Sequence, residues 1–227
     1  MLFALVITMS NVTMYAQIGI APEIGFNDPN WSFSASHENI FGVNAGCIIH
    51  YDLNERLFLQ TGLFYKTQGC SVSDYDWKIK IRSMQTPIFL NYKYCFNAER
   101  GFVIYFGGGA YIEKYIGGTL KQSGITTNLK IGNKAMDSFG HGDNIKEYDY
   151  GIILQMGGIH PSGLFDRVWY SISTANNDVF SESLKGSVYY SIGATAGYIF
   201  GYNRRHNGDD YNGHYNKHHR IRYKHIR

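Results

Sequence analysis

Apolar and polar side chains alternate along most of this chain, and each run holds its phase for a whole segment. In "ERLFLQTGLFYKTQGC", Glu55 to Cys70, the residues Leu57, Leu59, Leu63 and Tyr65 share one parity. Gln60, Gly62, Lys66 and Gln68 share the other, together with Phe58 and Phe64. A period of two marks β-strands whose faces meet different surroundings. The same reading predicts strands over residues 18–26, 40–51, 56–66, 82–94, 102–115, 147–159, 168–176 and 187–200. The connectors "DLNER", "CFNAERG" and "HPSGLFD" are short. Those between them, such as "NDPNWSFSASHEN", "SVSDYDWKI", "DVFSESLKG" and the stretch from Gly117 to Lys146, are mostly longer and rich in Gly, Ser, Asn and Asp. Long and short connections in turn describe an up-and-down meander with loops on one rim and tight turns on the other. The expected fold is all-β: an eight-stranded antiparallel up-and-down transmembrane β-barrel, whose strands have roughly the nine to eleven residues needed to cross a bilayer at a tilt.

Parity does not by itself say which face points outward. A soluble ligand-binding barrel turns its apolar face inward, and a membrane barrel turns it to lipid. Three features favour lipid. The polar face is crowded with Gly, Ser, Asn and Thr, small enough for a narrow lumen. The apolar face carries aromatics near its ends: Tyr51, Tyr92, Tyr94, Phe102, Tyr170, Tyr198 and Phe200 toward the short turns, and Phe41, Tyr65, Tyr150 and Tyr190 toward the long loops. A slip of one residue would place Lys66 and Gln60 in hydrocarbon, at about 2–4 kcal/mol for a midplane lysine. Pro22 and Pro87 fall inside strands, where each lacks a ladder donor, so a bulge is expected at each.

Composition sharpens this picture. The 227 residues include 19 Tyr, 14 Phe and 26 Gly against 4 Pro, with 17% charged, which favours pleated structure over helix. The opening run "MLFALVITMSNVTM", followed by "YAQ", reads as a signal peptide over residues 1–16, although no Lys or Arg precedes it. No later segment reaches the eighteen or so apolar residues of a membrane helix. The division is therefore leader 1–16, barrel 17–201 and tail 202–227. The tail "YNRRHNGDDYNGHYNKHHRIRYKHIR" holds seven Lys or Arg, two Asp and five of the nine His, and without it the chain has 14 basic and 16 acidic residues. It reads as a solvated periplasmic extension drawn to anionic headgroups. Its histidines, His206, His214, His218, His219 and His225, lack the fixed frame a metal site needs. Nucleic acid is not an expected partner.

At this point the chain resembles a known family, the PorT-like bacterial outer-membrane β-barrel proteins of the outer membrane protein beta-barrel domain group. The resemblance rests on "FGVNAGCIIHYDLNERLFLQTGLFYKTQG", "IRSMQTPIFLNYKY", "GFVIYFGGGAYIEKYIGG", "YDYGIILQMGG" and "SVYYSIGATAGYIF", across Gln17 to Gly201. It implies an eight-stranded barrel with periplasmic termini in the outer membrane and, through the namesake, a link to protein secretion. The tail after Phe200 departs from the family's usual aromatic ending.

Strand direction places Lys66, Glu113 and Asp149 in the lumen near the long-loop rim, with Glu23 not far below. Charges in a narrow lumen must be mutually paired, so an internal brace is expected rather than a ligand or proton site. "FGGGAY", Phe106 to Tyr111, lacks the spacing and strand-to-helix context of a phosphate loop. His37, Ser71, Ser73 and His141 occur at or in loops where a lipid-modifying enzyme would keep its base and nucleophile, but nothing orders them. No catalysis and no cofactor is expected. Cys70 belongs at the long-loop rim, Cys95 at the other and Cys47 between them on the lipid face, too far apart for disulfides. The expected role is that of a monomer meeting an envelope or extracellular protein through its loops. A secreted soluble barrel for an apolar ligand is the alternative, and a lipid-modifying enzyme a remoter one.

Overall fold

Strands form where the alternation is strongest, and they close into a ring. The computed structural model describes residues 18–31, 37–73, 76–97, 102–132, 147–174 and 189–200. The leader, the tail with its five histidines, and His141 lie outside these residues, as does the side chain of Cys95. The ring strands are β1 (Ile18–Trp31), β3 (Gly42–Asp52), β4 (Leu57–Val72), β5 (Trp77–Asn97), β6 (Phe102–Gln122), β8 (Tyr148–Ile159), β9 (Leu164–Ser173) and β10 (Tyr189–Tyr198). Every pairing is antiparallel. The order runs β4-β3-β1-β10-β9-β8-β6-β5 and returns to β4, so each of these eight strands is paired on both sides. Two short strands are appended at the long-loop rim: β2 (His37–Ile40) on β4 and β7 (Ile125–Asn128) on β6. No helix among the described residues is long and apolar enough to cross a membrane.

The apolar face points outward. Ile88 is 60% exposed, Ile152 57% and Leu154 56%, while Gln60, Lys66, Asn91 and Glu113 on the other face are buried. Apolar side chains all around a closed ring, with lysine and glutamate inside, require hydrocarbon as the outer solvent. The soluble-barrel alternative is thereby overturned, since it needs the opposite arrangement. Ile88→Arg, near the middle of the outer face of β5, is expected to lower stability by about 2–4 kcal/mol. Urea titration of the protein folded in lipid vesicles reads this directly.

Several boundaries differ from the sequence reading. Strands β5 and β6 are each 21 residues long, and β4 and β5 absorb most of the expected loop "SVSDYDWKI". The segment after Gly117 continues as strand and turns at Ser123 and Gly124, both with positive φ, into β7. Two such residues are what a tight hairpin requires. At the other rim, β9 begins at Leu164, inside the expected turn. Neither proline makes a bulge. Pro22 pairs in register with Cys47 and Pro87 with Tyr111. Opposite Pro87 the β4 ladder omits Gly62 and Leu63 without changing register, and the Thr61 hydroxyl donates to the Pro87 carbonyl at 3.0 Å. The register shifts lie elsewhere, at Arg82/Ser83 and Cys95/Asn97. Tyr170 also moves: its ring lies 6.1 Å from that of Tyr190, toward the long loops rather than the short turns.

The lumen is not filled by small residues alone. Phe58, Phe64, Phe89, Tyr105, Tyr111, Trp169 and Tyr189 are all buried inside. An interior must reach close packing, and the small residues on that face leave room for these rings. At Gly193 a Cβ would run into the indole of Trp169.

Candidate functional site

Inward positions of neighbouring strands stack their polar groups into two tiers. In the upper tier, β4 supplies Lys66 and Gln68, β5 supplies Ser83 and Gln85, and β6 supplies Glu113. Lys66 Nζ lies 3.2 Å from Glu113 Oε2, with both side chains fully buried. Ser83 Oγ donates to Glu113 at 2.6 Å, Gln85 Nε2 at 3.0 Å and Gln68 Nε2 at 3.4 Å. Four donors on one carboxylate offset most of its lost hydration. The Tyr189 hydroxyl donates to Gln68 Oε1, tying β10 to this cluster. Lys66 Nζ also sits 5.1 Å from the centre of the Trp169 ring. Asp149 is held differently, by the Tyr111 hydroxyl at 3.0 Å and Ser173 Oγ at 2.5 Å.

The lower tier is built around Arg167 on β9. Its guanidinium pairs with Glu23 on β1, donates to Gln155 Oε1 at 2.6 Å and to Thr195 Oγ1 at 3.1 Å, and lies 5.3 Å from both the Phe64 and Phe89 ring centres. Gln155 Nε2 donates onward to Gln60 Oε1 at 2.7 Å and Asn91 Oδ1 at 2.6 Å. Below them Lys93 reaches Asp52 at 2.6 Å, and His50 lies 3.1 Å from the same carboxylate oxygen. The imidazole stacks on Phe58 at 4.2 Å.

The structure thus brings Lys66 and Glu113 into contact and leaves Asp149 beside them without a cation of its own. Glu23 belongs to the second tier. The partner of Glu23 is Arg167, which falls between the expected turn "HPSGLFD" and the strand expected from residue 168. Above both tiers an apolar cap of Cys70, Val72, Ile79, Ile81, Tyr115, Leu129 and Tyr189 closes the mouth. Leu129 reaches it from beyond β7, anchored by its amide to the Gly118 carbonyl at 3.0 Å.

Of the residues considered for lipid chemistry, His37 stands opposite Val72 in the β2–β4 ladder and Ser71 opposite Glu38. Ser73 follows the end of β4. "FGGGAY" lies within β6. Cys47 is exposed on the outer wall and Cys70 is buried in the cap, both as free thiols. Among the described residues, no group of three or more His, Cys, Asp and Glu could hold a metal ion.

Several solved structures are similar to this one. The structure is similar to that of Ail, the attachment invasion locus protein of Yersinia pestis, at 11% identity and a TM-score of 0.45, over 82% of this chain and 100% of that one. Neisserial surface protein A, NspA, is similar at 12% identity and 0.45, over 82% and 99%. OprG from Pseudomonas aeruginosa is similar at 11% and 0.49, over 82% and 97%. No curated protein matches the chain. The family model described as "Outer membrane protein beta-barrel domain" matches residues 10–173. The hydrocarbon that bathes the leucine and isoleucine wall is accordingly that of the bacterial outer membrane, and the chain belongs to the outer membrane protein beta-barrel domain family.

Proposed function

We propose that this protein is a sealed, non-catalytic barrel that holds a projecting sheet and loops at the cell surface for contact with another protein. One observation carries the reading: the lumen is packed through both tiers and capped, while β4, β5 and β6 run on beyond the length a bilayer requires. A conduit would waste such a filling, and a rigid post benefits from it. The monomer is the working unit, since each of the eight ring strands is already paired on both sides. The resemblance to PorT-like proteins extends this reading to secretion across the outer membrane, with a component of that machinery as partner.

The purified protein in a planar lipid bilayer is expected to give no unitary conductance steps. Steady, ion-selective steps would overturn the sealed-post reading. Site-directed crosslinking from exposed Thr126 of β7 in intact cells is expected to yield one discrete envelope or extracellular adduct. Its absence from every growth condition would remove the interaction role.

A further inference from the structure

The outward positions of β5 run Tyr94, Tyr92, Leu90, Ile88, Thr86 and Met84, then change character to Arg82, Lys80 and Lys78. At about 3.3 Å per residue and a tilt of about 40°, Tyr94 to Met84 covers about 25 Å, the height of the apolar band of such barrels. Arg82 therefore stands at the upper edge of that band, with Lys80 and Lys78 about 5 and 10 Å beyond it. On β6 the register sets Lys121 beside Lys78 and Thr119 beside Lys80. The alternating Ile79 and Ile81 are locked in the apolar cap, so the cations are fixed outward. Arg82 has a flat seat: a Cβ on Gly117 would lie 2.9 Å from its terminal nitrogen, and glycine removes that obstacle.

Among the described residues, carboxylates do not neutralise this row. Glu147 is engaged by Lys114 at 3.1 Å, Glu38 stands one strand away across Ser71, and Asp76 sits at the strand tip. Among the described residues, no ion pair holds Lys78, Lys80, Arg82 or Lys121.

We propose that this row is a docking surface for the phosphate groups of the anionic glycolipid in the outer leaflet. The reason is continuity with the lipid wall. Acyl chains resting on Ile88, Leu90 and Ile112 put the headgroup of the same lipid at the height of Arg82 and Lys80. A guanidinium forks onto phosphate oxygens, and the lysines beside it add point charges. An acidic protein would not need the row to continue an apolar strip in register; a lipid does. This surface lies on the outer wall and does not depend on the sealed-post reading.

The test uses the full-length protein in non-ionic detergent, titrated with lipid A carrying both phosphates and with the same lipid enzymatically dephosphorylated. The wild type is expected to bind the phosphorylated form at least about tenfold more tightly, and Lys80→Gln with Arg82→Gln to weaken that binding on the order of 20-fold. The dephosphorylated lipid should bind both proteins equally, and Arg56→Gln at the opposite rim should change nothing. Heat-modifiable gel mobility reports that the variants are folded. If the double variant fails that check, the comparison of the two lipids on the wild type decides alone. Equal binding of both lipids, undiminished binding by the folded double variant, or equally tight binding of soluble polyglutamate would each overturn the proposal.

Discussion

Glu113→Ala is expected to destabilise the barrel by about 3–5 kcal/mol, because it strands the Lys66 ammonium inside the lumen. Lys66 is fully buried, and Glu113 is its carboxylate partner. The substitution also takes the acceptor from Ser83, Gln85 and Gln68, leaving three buried donors to find partners elsewhere. The cost belongs to breaking the pair, not to lacking it. Lys66→Met combined with Glu113→Leu should therefore recover most of the loss. Equilibrium unfolding in urea, followed by tryptophan fluorescence in lipid vesicles, measures both. A single variant within about 1 kcal/mol of wild type would show that water reaches this tier freely.

Arg167→Ala should cost a similar amount, about 3–5 kcal/mol, for a related reason in the lower tier. It leaves the Glu23 carboxylate unpaired and removes the plate between the rings of Phe64 and Phe89. The two parts can be separated. Arg167→Ala with Glu23→Gln should regain the electrostatic share and retain the packing loss. Because the tiers use different carboxylates, the Glu113 and Arg167 variants should combine additively within about 0.5 kcal/mol. A larger coupling would mean that Trp169, which lies beneath Lys66, transmits strain between them.

The contrast between these two sites shows what the sequence could disclose. Lys66 and Glu113 each sit in the middle of an alternating run, so parity and strand direction suffice to put both in the lumen at one height. Arg167 follows "HPSGLFD", where Pro161, Gly163 and an outward Asp166 interrupt the alternation, and a strand read from alternation alone begins one residue too late to include it. The same mechanism hid the upper ends of β4, β5 and β6. Gly69, Gly117, Gly118 and the run of Ser and Thr resemble loop composition, since glycine and short polar side chains are the usual turn formers. The signal was nonetheless present in "WKIKIR", Trp77 to Arg82, where isoleucine and cation alternate as cleanly as in any membrane strand. The prolines misled in the opposite sense. A lost donor was expected to distort the strand, but at Pro87 the ladder merely skips two residues on the neighbouring strand.

Pairing of β1 with β10 brings together segments far apart in the chain, as when Ser191 Oγ donates to the Asp28 carbonyl across 163 positions. Until that last stave arrives, the growing polypeptide presents two raw edges and a greasy exterior to the periplasm, each a template for aggregation. Assembly must therefore be withheld until synthesis of the final hairpin is complete, and a chain cut before Tyr189 has no smaller cylinder to fall back on.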